Sequence, residues 1–228
     1  MKYFFLSVVL VVPSVCATWG DRARYDNFTE YFPNLIQETV YELERREWSN
    51  LRIDDIPVNI SERIYDQNFE GTVNFNNGFL VSIQNIDLID ATQTFFTAST
   101  SRITTGSMTG NLRFSDVVVG FDVIAHLEDQ GTQRFTATFL YHTINYNIRV
   151  AKNLHTDEIT VTIDQNNLSG TGNFLIFMPD NDIADVLTRY YTMWSVDTSV
   201  TRWGTTIIRP IIEELIPKLG FPNVCFNC

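Results

Sequence analysis

The sequence predicts an α+β fold: a strongly curved antiparallel β meander with an N-terminal amphipathic helix before it and a long C-terminal helix after it. Three observations predict it. Apolar and polar residues alternate through a central block from Phe69 to Phe177, the signature of strands with one buried face. Two runs in that block are too long for an ordinary small β domain and change phase part-way. Apolar stripes at helical spacing occupy both ends of the chain.

After the first residues, Asn27 to Trp48 reads as a helix, with Phe28, Tyr31, Phe32, Leu35, Ile36, Val40 and Leu43 on one stripe. Pro33 falls in its first turns and is an alternative start. Ile53 to Ile60, interrupted by Pro57, is an extended or turn segment. Phe69 to Phe75 is the first strand, and Asn76-Asn77-Gly78 reads as a hairpin turn, since a type I′ turn needs positive φ at both central residues. Phe79 to Leu88 and Thr92 to Ile103 follow, with Thr104-Thr105-Gly106 as punctuation.

From Met108 to Leu127 the apolar phase passes from Met108, Gly110, Leu112 and Phe114 to Val117, Val119, Phe121, Val123, Ala125 and Leu127. The slip at Ser115 and Asp116 predicts a β-bulge, because one extra residue swaps the faces. Glu128 to Gly131 reads as a hairpin loop. From Gln133 to Val150 the phase passes from Phe135, Ala137, Phe139 and Tyr141 to Ile144, Tyr146, Ile148 and Val150. A single strand over either run spans roughly 60 Å, longer than a globule of about 40 to 45 Å, so the sheet must curl or the molecule must be elongated. Glu158 to Asp164 and Asn173 to Phe177, separated at Ser169-Gly170, complete the meander.

Asp180 to Leu219 is the second helical region, with Ile183, Leu187, Tyr190 and Trp194 on one stripe, resumed by Ile208, Ile211, Ile212 and Leu215. Asp197, Thr201 and Gly204 occupy the same projected face between the two patches. The gap has two readings: a break between two helices, favoured by Val200, Thr201, Gly204, Thr205 and Thr206, or a continuous helix whose small inward residues leave room for a ligand. Pro210 begins or kinks the last segment, and Pro217 with Gly220 ends it.

The chain starts with Lys2, an apolar core from Tyr3 to Val12, and small residues at Val15 and Ala17, which predicts a secretory signal peptide over residues 1-17 and a single domain over 18-228. The expected localisation is secreted and extracellular, without a stable membrane anchor. Removal of the leader takes Cys16 and leaves Cys225 and Cys228, for which a structural disulfide in an oxidising compartment is the expectation and an intermolecular bridge the alternative. Sequons at Asn27, Asn59 and Asn167 fit a glycoprotein. The 16 basic and 27 acidic residues give a net charge of -11, with the basic ones scattered, which argues against nucleic acid and anionic membranes as partners.

His126, His142 and His155 are the only histidines, and none lies in a metal-ligand pattern. His126 and His142 sit off the dominant apolar phase, as surface or edge residues do. No nucleophile elbow, P-loop or dinucleotide-binding glycine pattern occurs, so neither catalysis nor a cofactor is expected. Aromatic residues make up 13% of the chain. Strand phase and helix face point Phe114, Phe121, Phe135, Phe139, Tyr190, Trp194, Thr201, Gly204 and Ile208 at one interior, as core or as the lining of an apolar pocket.

The order of parts resembles the arthropod group 7 mite allergen-like proteins. These belong to the tubular lipid-binding superfamily, which includes bactericidal/permeability-increasing protein and the insect takeout and juvenile-hormone-binding proteins. The resemblance covers about Asn27 to Leu219 and is most local at Ile56-Pro57, Gly71-Thr72-Val73 and Asn77-Gly78-Phe79-Leu80 followed by Ile83 and Ile86. It implies a super-roll, an antiparallel sheet wrapped around the long helix, with an apolar groove or cavity for a lipid-like molecule. No cysteine lies between Thr18 and Val224, whereas the takeout branch has a pair near the mature N-terminus, so the likeness is to the group 7 branch. The expected function is therefore a secreted carrier, scavenger or recognition protein for a hydrophobic ligand. The alternative is a secreted structural or protein-interaction glycoprotein with a solid core.

Overall fold

The computed structural model describes residues 23–46, 51–64, 66–97 and 104–226, with backbone alone for 171–174 and 226. The predicted leader, Cys16, Trp48, Ile103 and Cys228 lie outside the described residues. The fold is α+β, mostly antiparallel sheet. A short strand β1 (Ala23–Tyr25) precedes helix α1 (Phe28–Arg45), and β2 (Arg52–Ile53), β3 (Ile56–Ile64), β4 (Gln67–Thr97), β5 (Thr104–Leu127), β6 (Gly131–Asn153) and β7 (Ile159–Met178) follow. Helices α2 (Asp182–Thr188), α3 (Asp197–Arg202) and α4 (Arg209–Leu219) precede β8 (Val224–Phe226), which pairs with β1 and so joins the two ends of the described chain.

The main sheet is open, in the order β2-β4-β5-β6-β7, with β3 also on β4. Its long strands hold 31, 24, 23 and 20 residues, more than the separate shorter strands read from sequence. Asn76-Asn77-Gly78 is not a hairpin. It lies within β4, where Asn77 takes a φ of 52° and Asn77 and Gly78 together oppose one residue of β5 between the pairs Asn76 with Asp122 and Phe79 with Gly120. The positive φ expected of a turn is used for a bulge. Two further shifts lie between Leu80 and Ser82 and between Ile89 and Thr92, so β4 carries three register shifts against β5. Thr104 to Gly106 and Ser169-Gly170 are not breaks but strand residues, the latter at a shift between β6 and β7.

The expected phase changes are present, and in β5 the cause is not the predicted bulge. Phe114 and Val117 are both fully buried, as are Tyr141 and Ile144. No extra residue enters β5 at Ser115 and Asp116 against either neighbour, whereas β6 does carry one against β7, where Tyr141 pairs with Gly170, Thr143 with Ser169, and His142 is left over. β5 and β6 stay in register from Phe114 with Ile144 to Val117 with Tyr141, and β4 and β5 do so from Ile86 with Phe114 to Ile83 with Val117. The strands change phase together along one crease, where Asp116 takes a φ of 50° and its carboxylate lies 3.4 Å from Nδ1 of His142. Aspartate tolerates the left-handed region better than most residues.

Helix α1 buries Phe32, Leu35, Ile36 and Leu43. Arg46, just beyond it, reaches Glu214 of α4 at 2.6 Å. The C-terminal region breaks at 189–192 rather than at Gly204. From Met193 it runs through a 3₁₀ turn, α3, a π-helical stretch (Trp203–Ile208) and α4 without interruption. The β-branched and glycine residues that favoured a break instead widen the helix.

Candidate functional site

On the inner face of the sheet, Phe75 of β4, Phe121 of β5 and Phe139 and Tyr141 of β6 meet Tyr191, which leads out of α2, while Phe177 of β7 packs on Phe75 and Phe135 of β6 on Phe177. Ring centroids lie 5.3 Å apart for Phe75 and Tyr191, 5.5 Å for Phe121 and Tyr191, 5.0 Å for Phe139 and Tyr191, and 5.7 Å for Phe135 and Phe177. Strand alternation puts these rings on one face. The Tyr191 hydroxyl is 2.9 Å from that of Tyr141, which donates to the Met193 carbonyl at 3.2 Å. Burial raises both phenol pKa values well above the ordinary range, and the hydrogen bond raises that of Tyr191 further.

A second cluster adjoins the crease. Phe114 packs edge-on against Tyr146 at 5.6 Å, and the Tyr146 hydroxyl donates to the Val200 carbonyl at 2.8 Å. Gly204 lies over this ring, so close that a Cβ would stand 3.0 Å from Tyr146 Cε1 and 3.0 Å from Ile163 Cγ2. Its missing side chain admits Tyr146 and Ile163 rather than leaving space.

The residues read from sequence therefore divide. Phe121, Phe135 and Phe139 join the first cluster; Phe114 and Gly204 join the second; Ile208 is fully buried in the π-helical stretch. Tyr190 is only partly buried against the core. Trp194 and Thr201 do not face inward: Trp194 is 57% exposed, and Thr201 is exposed. The helical projection that placed Trp194 fails because 189–192 leaves helical geometry, with Thr192 extended, and Tyr191 takes the inward place. Phe75, Phe177 and Tyr141 were legible from alternation. Tyr191 and Trp203, which is 1% exposed and donates to the Arg52 carbonyl at 2.7 Å, were not.

A groove of about 680 Å³ opens beside this interior, between β2, the Asn77 bulge and α3. Arg202 donates to both carboxylate oxygens of Asp54 at 2.8 and 2.7 Å, and Ser199 Oγ donates to Asp54 at 3.2 Å. Arg52, Asp55, Phe79 and Leu80 complete its wall. Nothing in the sequence patterns marked it.

All three histidines are exposed, and His126 contacts Thr132 Oγ1 at 2.9 Å. No group of three or more histidine, cysteine, aspartate or glutamate side chains able to hold a metal occurs among the described residues. Asn27, Asn59 and Asn167 are exposed. Cys225 is disulfide-bonded, and both other cysteines lie outside the described residues. No helix among the described residues is long and apolar enough to cross a membrane. Compared with known proteins, the chain matches no family model and no curated protein at a significant level.

Proposed function

We propose that this chain is a secreted, non-enzymatic binding protein for a hydrophobic or lipid-like ligand held between the sheet and the C-terminal helix. The observation that carries the reading is the buried Tyr141–Tyr191 hydroxyl pair inside a cage of phenylalanines, an apolar site with a polar handle. A ligand with one hydrogen-bonding end and an apolar body suits such a site, with affinity from apolar burial at about 25 cal/mol per Å². The π-helical stretch in the covering helix supports it too, since such widenings recur at functional sites. The same reading includes the super-roll curvature and the group 7 mite allergen-like family. The three register shifts on β4 support the curvature, because bulges bend and twist a strand. Leader removal at residues 1-17, glycosylation at Asn27, Asn59 and Asn167, and pairing of Cys225 with Cys228 belong to it as well.

Native mass spectrometry of protein purified from secretory cells, followed by solvent extraction, tests the reading. A retained lipid-range mass that extraction removes is the expected result. Repeated absence of such a mass, with no uptake of a fluorescent fatty acid, overturns it. The second reading, a secreted interaction glycoprotein with a solid core, is favoured by the close packing of Gly204 on Tyr146 and Ile163.

A further inference from the structure

We infer that the outer face of the sheet carries a docking surface for a zwitterionic lipid membrane, whether or not the interior admits a ligand. Cross-strand partners share a face, so the register defines rows across the sheet. One row runs Arg52, Phe79, Gly120, Thr138, Ile176, from β2 to β7. The next holds Asn76, Asp122, Thr136 and Met178, and on the other side Val118 pairs with Leu140. Val81, bulged out between Leu80 and Ser82, lies with Phe79 over Gly120, where a Cβ would come within 3.1 Å of Val81 and 3.2 Å of Phe79. Phe79, Val81, Ile176 and Met178 are 47%, 50%, 59% and 64% exposed. This apolar band crosses the sheet on the face opposite the core, where an antiparallel sheet is ordinarily polar. Beyond the crease the same face follows the rule, with Asn147 and Asn166 both donating to Asn111 at 3.1 and 3.0 Å.

Charge selects the occupant. The band is framed by Asp122 and Arg134, one of each sign, and contains no lysine. The groove at its Arg52 end holds two arginines and two aspartates: Arg202 is bonded to Asp54, whereas Arg52 and Asp55 have no ionic partner among the described residues. Asp55 accepts the Asn77 N–H at 3.1 Å. A net-neutral rim with a cation and an anion outside any ion pair complements phosphocholine headgroups, which present both signs. Anionic lipid is disfavoured, because such surfaces reward clustered Lys and Arg. A second copy is disfavoured because each chain carries a net charge of -11.

Co-sedimentation of the full chain with phosphatidylcholine vesicles, with and without one-third phosphatidylserine, tests the inference beside sedimentation velocity of the protein alone. The expected result is binding to phosphatidylcholine that phosphatidylserine does not strengthen. Ile176→Glu/Met178→Glu is expected to weaken it by roughly tenfold or more, since interfacial binding scales with apolar area inserted. Phe79→Ser/Val81→Ser, both on β4, is expected to weaken it similarly, and near-UV circular dichroism identifies which variant keeps its fold. Absence of wild-type binding, binding unchanged in a folded variant, or a dimer that dissociates in the variants without any vesicle binding each overturns the inference. Fatty-acid uptake is measured separately, so failure of the interior site and failure of this surface are distinguishable.

Discussion

Substituting Gly204 by alanine separates a packed interior from one with room in it. Gly204 is buried in the π-helical stretch, outside the left-handed region, so alanine meets no backbone strain there. On helix propensity alone the change is favourable by about 1 kcal/mol. Against this, the added Cβ stands 3.0 Å from both Tyr146 Cε1 and Ile163 Cγ2. Tyr146 cannot easily retreat, since its hydroxyl is bonded to the Val200 carbonyl at 2.8 Å and its ring packs on Phe114. Ile163 sits on β7, opposite Ile148 of β6. Inserting a methyl group into such a site costs about 1 to 3 kcal/mol. The packing term wins, with an expected net loss of about 1 kcal/mol, which lowers Tm by about 2 to 4 °C in a domain of this size. Valine at the same position should cost more. Urea unfolding followed by tryptophan fluorescence reads the effect as a lower midpoint at unchanged slope, with buried Trp203 next in sequence as a reporter. An alanine variant as stable as the wild type, or more stable, refutes the packing argument and returns the vacant space that a ligand would need.

Tyr141→Phe leaves the Tyr191 hydroxyl and the Met193 carbonyl without their partner and should cost about 1 to 2 kcal/mol. Tyr191→Phe should cost less, because Tyr141 keeps its bond to Met193, and in a double-mutant cycle by urea unfolding the two losses should fail to add. Glu214 is hydrogen-bonded by Lys218 and then Arg46, which pull its carboxyl from an ordinary 4.5 to about 2. Its contribution is therefore present above pH 4.5 and is lost as pH falls towards 2, so Glu214→Gln should flatten the acid limb of a Tm-against-pH curve, and an unchanged limb contradicts the tether. Gly71 has a φ of 151°, and a Cβ there would run into the His126 carbonyl oxygen of the paired strand. Gly71→Ala should lose on the order of 3 kcal/mol, and a thermal midpoint equal to wild type would show that β4 and β5 can separate at that point.

Much of the interior was legible in the sequence because burial repeats with the period of the backbone. Phe114, Phe121, Phe135 and Phe139 were placed by alternation alone, and all four are 5% exposed or less. Alternation also located the phase change, but not its cause. An extra residue in one strand and a crease shared by neighbouring strands leave the same pattern in each strand read separately, and only the pairing distinguishes them: β5 keeps register with both neighbours, whereas β6 carries an extra residue against β7 at His142. Helical projection served while geometry stayed helical, as far as Leu187, and failed at Trp194 because the few residues of 189–192 that leave the helix turn every later residue to a different side.

The Asn76-Asn77-Gly78 segment shows the limit most sharply. A type I′ turn and a bulge both need a residue at ease with positive φ, so the same local chemistry serves either. The choice lies in what waits opposite. A hairpin would bring Phe79 onward back against Phe75 and leave the upper half of β5 unpartnered. A bulge lets β4 continue along β5 as far as the pair Thr97 with Thr104 and satisfies that whole ladder. The decision therefore rests on strand β5, more than twenty residues away, whose own length depends on the crease at Asp116. The bulge also turns Phe79 outward while Gly78 lets Phe121 and Ile53 close beneath it. One non-local choice thus seals the aromatic interior at that point and sets the first residue of the outer apolar band.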